Sequence, residues 1–218
     1  MALATELSIA EPANGVATAP NSTTPENKAA QVFDPKAYGA AGDGATDDSA
    51  AFASAVAAAT AVRGTVQIPA GTYVATIAVT NGGVTIQGAG KDATIIKAPK
   101  ATAATRVVAV ANSDGTTIRD LTIDGNKSER SDQKPIAYAL LLYQSGDCVA
   151  ENVRVINAEQ IGVGLSACRR ARLSECDEDG SGWQNITTLG NTAGGRRAPS
   201  SPAAMRPTQV TMICRSLP

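Results

Sequence analysis

Three consecutive acidic residues are the first candidates for proton-transfer chemistry in this chain of 218 residues. Asp177, Glu178 and Asp179 follow a short alternating run that ends at Cys176. Hydrolysis of a glycosidic bond uses two carboxyl groups, one as an acid and one as a base or nucleophile. Acidic residues after a strand also form solvated turns. Asp177 and Asp179 are therefore candidate catalytic residues beside that structural alternative.

A basic cluster and two tyrosines could bind a substrate. Arg169, Arg170 and Arg172 could hold a carboxylate through paired N–H donors, or they could be solvated or paired with nearby acids. Tyr138 and Tyr143 could stack on a sugar ring or donate a proton, although aromatic residues in an apolar run such as AYALLLY are typical of a core. Arg169 and Arg172 are kept as candidate binding residues.

The composition excludes several other chemistries. The chain has no histidine, which excludes a Ser-His-Asp triad, a Cys-His dyad and a histidine-rich zinc site. Its four cysteines include no CxxC pair, so small apolar core residues are the favoured interpretation. The formal net charge of −1 gives no indication of nucleic-acid binding. The absence of a long apolar run predicts no membrane span.

The elements that would position these residues recur along the chain. The segments GVTIQGAG, GTTIRDLTIDG, DCVAENVRVINA and RARLSECDEDG each combine a short alternating strand with a turn rich in Gly, Asn or Asp. Ile86, Ile118, Ala150 and Leu173 occupy equivalent positions, at spacings of 32, 32 and 23 residues. The repeat predicts a solenoid of about four coils over residues 32–183, with these four side chains stacked inside.

The two ends of the chain lack this repeat. Residues 1–31 are rich in Ala, Pro, Thr, Asn and Glu, and we expect a flexible leader without a recognisable signal peptide. Residues 184–218 carry four arginines, no acidic residue and much Pro, Gly and Ser, which predicts a disordered basic tail. Because the repeat fails after Trp183, we also expect a truncated or frame-shifted gene.

A helix is predicted ahead of the repeat. Ser49–Ala61 is rich in alanine and has Phe52 and Val56 at helical spacing. Asp47 or Asp48 stands where a helix N-cap belongs, and a carboxylate there accepts hydrogen bonds from free N–H groups. We favour this structural role over a catalytic aspartate pair. The helix would cover the unpaired strand edges at the end of the solenoid.

The stretch from Phe33 to Gly90 resembles the N-terminal cap of the right-handed parallel β-helix found in the pectate-lyase superfamily. It has the same order of elements: a Gly-rich turn, a double aspartate, an Ala-rich helix, and two β-branched runs separated by PAGTY. That superfamily includes polysaccharide lyases, some glycoside hydrolases, alginate C5-epimerases and phage tailspikes. The resemblance implies an all-β, right-handed parallel β-helix with an N-terminal capping helix, in a superfamily that works on sugar polymers.

The string LTIDGN, Leu121–Asn126, resembles the alginate C5-epimerase branch in particular. There it forms a strand and corner before a loop that faces the substrate. Asp132 and Lys134 in the following loop are similar to acidic and basic residues that grip uronate in those enzymes. The resemblance therefore implies that Asp132 and Lys134 bind substrate.

The string GVGLSAC resembles the catalytic rung of the same enzymes. Val163, Ser166 and Cys168 stand at the positions of its tyrosine, aspartate and histidine. Epimerisation at C5 and β-elimination both begin with removal of a proton next to a carboxylate, which needs a base and a proton donor. The three residues present do not supply these groups, and a thiol among small apolar residues is typically buried and inert.

Two functions follow as hypotheses. The first is a carbohydrate-active β-helix protein that acts on or binds an acidic polysaccharide and is incomplete or inactive; if active, it would be a lyase or a C5-epimerase rather than a glycoside hydrolase. The second is a structural or adhesive module, such as a phage tailspike or surface protein, that binds glycan without turnover. We expect an extracellular or cell-surface location. No cofactor is indicated, with calcium left open, and the oligomeric state is not indicated.

Overall fold

The computed structural model describes residues 31–102, 104–130, 136–179, 184–189 and 211–216. Within them the chain is mostly β-strand, with one α-helix and two short 3₁₀ helices. The helix α1 spans Ser49–Val62, and the 3₁₀ helices span Pro35–Tyr38 and Lys127–Glu129. The strands are β1 Val32–Phe33, β2 Asp43–Asp47, β3 Thr65–Gln67, β4 Gly71–Val74, β5 Ile77–Thr80, β6 Thr85–Gln87, β7 Thr94–Lys97, β8 Arg106–Ala111, β9 Thr117–Asp124, β10 Tyr138–Tyr143, β11 Val149–Ile156, β12 Ile161–Ser166, β13 Arg172–Asp179, β14 Gln184–Leu189 and β15 Thr211–Ser216.

The strands form two sheets in which every pair is parallel. The larger, sheet A, runs β1-β3-β6-β9-β11-β13-β15, and β2, β4 and β7 extend it beside β9. The smaller, sheet B, runs β14-β12-β10-β8-β5. From β5 to β14 the chain visits sheet A and then sheet B in each coil, so neighbouring strands belong to successive coils. This is the predicted parallel β-helix.

One column of apolar side chains runs through the coils, as the repeat predicted. Ile86 pairs in register with Ile118, Ile118 with Ala150, and Ala150 with Leu173. All four are at most 1% exposed. Val66, the register partner of Ile86, extends the column toward the N-terminal end. Equivalent residues therefore lie one strand spacing apart, about 4.8 Å, and fill the interior with contacts between coils.

The long strands of sheet A bend in the middle, which gives the coil its third side. Asp120, Asn152 and Glu175 occupy the bend on β9, β11 and β13, and all three have positive φ, at 59°, 51° and 53°. Asn and Asp tolerate this left-handed conformation better than most residues. The Asn152 side-chain amide donates to an Asp120 carboxylate oxygen at 2.8 Å, so the bends of two successive coils are joined.

Helix α1 covers the N-terminal end of the solenoid, as predicted. Its Phe52 ring is fully buried and meets the Tyr73 ring edge-on at a centroid distance of 5.5 Å. Asp48 is the N-cap residue, but its carboxylate makes no capping bond and accepts hydrogen bonds from the N–H groups of Ala41 and Gly42. Asp47 accepts from the first helical N–H, that of Ser49. The predicted structural roles are thus divided, with Asp48 holding the Gly-rich turn.

The described structure differs from the prediction after Trp183. We expected no further rung there, but β14 pairs with β12 and β15 pairs with β13. Both strands lie within the segment that we predicted to be a basic tail. The predicted leader lies almost wholly outside the described residues, which begin at Gln31. No helix among the described residues is long and apolar enough to cross a membrane.

The inward column gives a stability prediction. Replacing Ile118 with aspartate places an unpaired carboxylate between Ile86 and Ala150, and an uncompensated buried charge costs about 3–5 kcal/mol. We expect Ile118→Asp to lower the free energy of unfolding in urea by at least that amount. Thr117→Asp is the matched control, because Thr117 alternates to the outer side of the same strand and is half-buried. Equal stability of Ile118→Asp and the parent would contradict the assignment of the column.

Candidate functional site

The outer surface of sheet B carries an unusual set of side chains for a surface strand. Leu140 and Leu142 on β10 point into the core, so Leu141 and Tyr143 between and after them point outward. Leu141 is nevertheless only 5% exposed, whereas Tyr143 is 38% exposed. Leu141 is not part of the contiguous core cluster, so another side chain must cover it on the outside.

Tyr138 lies over this surface because a glycine leaves room for it. Gly164 of β12 is the register partner of Leu141. A Cβ atom built on Gly164 would meet the Tyr138 ring at 2.4 Å and Leu141 at 3.1 Å. The Tyr138 ring therefore rests directly on the Gly164 backbone, beside Leu141. We call Tyr138, Leu141 and Tyr143 the aromatic surface.

A depression of about 300 Å³ adjoins the aromatic surface on the neighbouring strands β5 and β8. Small residues form its floor, because Ala78 and Ala109 are the register partners that continue the Leu141 column. Arg106 stands at its edge, in register with Tyr138, and is exposed. Its guanidinium makes no ion pair or hydrogen bond with any residue that the structure describes. The lining residues are Thr76, Ile77, Ala78, Ala104, Thr105, Arg106 and Ala109.

A buried ion pair links Arg130, which follows β9, to Glu159 between β11 and β12. The Arg130 side chain is fully buried, and its Nε donates to Glu159 Oε1 at 2.6 Å. The guanidinium also donates to the carbonyl oxygens of Pro99 and Lys100. The second Glu159 oxygen accepts from the N–H of Ile136 at 2.9 Å. The predicted binding residues Asp132 and Lys134 lie outside the described residues, between Arg130 and Ile136.

The three positions of the resembled catalytic rung do not converge in this structure. Val163 points into the core and is 1% exposed. Ser166 is half-buried and is the register partner of Tyr143 on the outer side. Cys168 is buried, its thiol donates to the Leu142 carbonyl at 3.1 Å, and burial raises its pKa above the usual range. Cys168 is therefore a buried thiol that donates to a backbone carbonyl.

The acidic candidates lie elsewhere on the solenoid. Asp177 and Asp179 are both on β13, in register with Arg154 and Ile156 of β11. Glu178, between them, is in register with Val155. These residues belong to sheet A, so the structure does not bring them together with the aromatic surface of sheet B.

The three arginines of the predicted cluster have three different environments. Arg170 is paired with Asp147 through two hydrogen bonds, and this pairing holds the pKa of Asp147 below its usual range. Arg169 makes one contact, from Nη2 to Asp114 Oδ2 at 3.1 Å. Arg172 is exposed at the start of β13 and has no side-chain partner among the described residues. Toward the described residues, Arg172 thus keeps all five of its side-chain N–H donors and Arg169 keeps four, whereas Arg170 commits two of its five to Asp147.

The sequence analysis did not identify the outward-facing side chains of sheet B as a binding surface. Tyr138 and Tyr143 in the run AYALLLY were interpreted as typical of a core, but Tyr143 is 38% exposed and Tyr138 is half-buried. Arg106 was not singled out at all. Gly164 was the available signal, since a glycine inside a strand often marks the close approach of another group. Among the described residues no group of three or more His, Cys, Asp or Glu could hold a metal ion.

Comparison with known proteins supports the fold. Residues 32–127 match a family model described as rhamnogalacturonase A/epimerase, pectate lyase-like. The chain has a pectate-lyase-like parallel β-helix fold. No match was found among curated proteins.

Three solved structures share this pectate-lyase-like fold, and each aligns with 72% of the chain. A protein of Parabacteroides merdae assigned as a glycosyl hydrolase is 13% identical, with a TM-score of 0.63 and 80% of its length covered. The A-module of the Azotobacter vinelandii mannuronan C-5 epimerase AlgE4 is 21% identical, with a TM-score of 0.53 and 52% covered. Bacteriophage phi29 gene product 12 is 16% identical, with a TM-score of 0.55 and 29% covered. The chain thus spans about half or less of the last two.

The Arg130–Glu159 pair gives a second prediction about stability. Glu159→Gln removes the charge that compensates a fully buried guanidinium, and breaking such a pair costs about 3–5 kcal/mol. We expect that loss in the free energy of unfolding measured in urea. Arg170→Gln is the control, because its partner is more than half exposed and such pairs contribute about 0–1 kcal/mol. Similar losses in the two variants would argue against a buried anchor.

The buried thiols give a prediction about pH. Burial raises the pKa of Cys148 from 9.0 to about 11, so the folded state holds this proton more tightly than the unfolded chain. The corresponding stability is present below pH 9 and is lost as the pH rises toward 11. We expect iodoacetamide at pH 8, followed by peptide mapping, to modify Cys148 and Cys168 in urea and neither in the native protein. Rapid native modification of Cys168 would show a reactive thiolate at that position.

Proposed function

We propose that this protein binds an acidic polysaccharide along the outer surface of sheet B, with little or no turnover. The observation that supports this most strongly is the aromatic surface, where the Tyr138 ring packs against Gly164 beside a depression edged by Arg106. Exposed aromatic rings provide contact area at low conformational cost and keep a polar end in water. A sugar ring presents apolar C–H groups to such a surface and hydroxyl groups to its edges.

The charge around this surface favours an acidic polymer over a neutral one. Arg106 is exposed and has no partner among the described residues, so its fork of N–H donors is free to bind a carboxylate. Lys134 and Asp132 remain predicted contacts to the same ligand. They belong to the connection that enters β10 just before Tyr138, and Glu159 fixes residues on both sides of them. This arrangement supports a uronate polymer as the ligand class.

We propose that the protein is related to lyases and C5-epimerases but does not carry out their proton transfers efficiently. Val163, Ser166 and Cys168 provide no positioned acid and base, and each proton-transfer group typically contributes about 100- to 10,000-fold to the rate. Binding needs fewer groups than turnover, because a cation and a stacking surface suffice. We therefore propose a protein that retains the recognition of uronate polymers without efficient catalysis, located outside the cell or on its surface.

A structural β-helix module is the second candidate. It is favoured by the lack of convergence among the three rung positions, since a module that only binds or assembles needs no catalytic constellation. The fold shared with phage phi29 gene product 12 is compatible with this role. Binding of a uronate polymer, with or without residual turnover, would favour the first candidate, and the absence of both turnover and binding would favour the second.

Binding at sheet B is tested by three substitutions. Tyr138→Ala removes the ring, Gly164→Ala displaces it without removing a contact group, and Arg106→Ala removes the cation. We expect each variant to bind alginate or polygalacturonate about tenfold more weakly, which corresponds to about 1.4 kcal/mol, in affinity electrophoresis or calorimetry. Tyr38→Ala is the control for loss of a tyrosine, because Tyr38 is exposed and lies in the 3₁₀ helix Pro35–Tyr38, outside sheet B.

The same preparations test turnover. Lyase activity produces an unsaturated sugar that absorbs ultraviolet light, and proton NMR reports epimerisation. Efficient turnover by the parent, abolished by Lys134→Ala or Asp132→Asn, would overturn the inactive assignment and place the chemistry in that connection. Unchanged binding in all three sheet B variants would reject the aromatic surface as the binding site.

A further inference from the structure

A second depression, lined mainly by polar residues, lies at the corner where strands of sheet B end and the chain turns toward sheet A. Its volume is about 450 Å³, within the range of about 300–1,000 Å³ typical of ligand sites. It is separate from the depression at Arg106, which lies on the outer surface of sheet B near the opposite ends of the strands. The lining residues are Arg63, Asn81, Gly82, Gly83, Asn112, Asp114, Gln144 and Arg169.

Three of these residues form a column of side-chain amides. Asn81, Asn112 and Gln144 directly follow β5, β8 and β10, whose last residues are in register. Each has positive φ, at 58°, 49° and 47°, so the chain turns in the same way in each coil. All three are exposed. The backbones that carry them are about one strand separation apart, 4.8 Å, and each amide can both donate and accept hydrogen bonds.

The charged residues of the depression leave guanidinium donors free. Asp114 Oδ2 accepts from Arg169 Nη2 at 3.1 Å, and its other oxygen accepts from the N–H of Gly146. The carboxylate is thus occupied on both oxygens, while Arg169 has used a single N–H group. Arg63 is exposed and makes no ion pair or hydrogen bond with any described residue through its side chain. Two guanidinium groups against one carboxylate give the depression a formal charge of +1.

We propose that this corner depression is a second binding site for a carboxylate-bearing sugar residue. Arg63 or Arg169 would bind the carboxylate through paired N–H donors, and the amide column would exchange hydrogen bonds with the hydroxyl groups. The class of ligand rests on the proposed function, whereas the location is independent of the aromatic surface. Two sites on one solenoid would raise the avidity for a polymer without changing the affinity for a single sugar.

The experiment is a titration of the whole ¹⁵N-labelled chain with sodium galacturonate, followed by NMR, with galactose as the uncharged counterpart. We expect galacturonate to shift the side-chain amide signals of Asn81, Asn112 and Gln144. Arg63→Ala and Arg169→Ala should each weaken this binding at least fivefold. Arg154→Ala is the matched control, since it removes the same charge from an arginine on sheet A that pairs with the exposed Asp92; it should leave the affinity unchanged.

The outcomes separate this inference from the proposed function. Equal shifts with galactose, equal losses in all three arginine variants, or no shift of the three amides would overturn the corner site. If those amides do not respond while Tyr138→Ala still weakens polymer binding, the corner site alone is rejected. If they respond while the sheet B variants bind polymer normally, the aromatic surface alone is rejected.

Discussion

The register of the parallel strands is the constraint on which the rest of this structure depends. Ile86, Ile118, Ala150 and Leu173 lie in one column, and each neighbour in that column is held by backbone hydrogen bonds between coils. A shift of one residue in any strand would turn its inward side chains to the outside. Connections of different length can therefore be accommodated between the strands, as the spacings of 32 and 23 residues show, provided that each strand returns to the same register.

The same constraint determines where recognition can take place. Inward positions are filled by the core, so chemistry is confined to outward positions and to corners. On sheet B the outward positions combine small residues with Tyr138, and on the corner they present amides and arginines. The position of Cys168 illustrates the alternative, because a residue on the inner side of a corner becomes buried and its thiol pKa rises. A candidate catalytic position therefore depends on its side of the strand as much as on its residue type.

The fold was predictable to a large extent, and the site was not. Alternation and spacing located the inward column, and the order of elements before Gly90 located helix α1. The run AYALLLY has no alternation, so the sequence could not show that Leu140 points inward and Leu141 outward. In the structure, Gly164 on the next coil leaves the room in which the Tyr138 ring lies beside Leu141. The Arg130–Glu159 pair joins residues 29 positions apart and has no local signal. The two aspartates at the start of α1 were located correctly. Which of them accepts from the helix and which accepts from the Gly-rich turn depends on the position of that turn, and tertiary packing determines this position.

Because helix α1 covers one end of the solenoid, coils can be added only at the other end. Each coil rests mainly on the coil made before it, and α1 with β1 and β3 forms the first surface on which the next can settle. During synthesis the ribosome would release these elements in the order in which they are needed, so every new strand would find its template already folded. A chain built in this way can acquire or lose coils at its far end while the part nearest the helix stays intact. The length of the solenoid can therefore change during evolution without loss of its first coils.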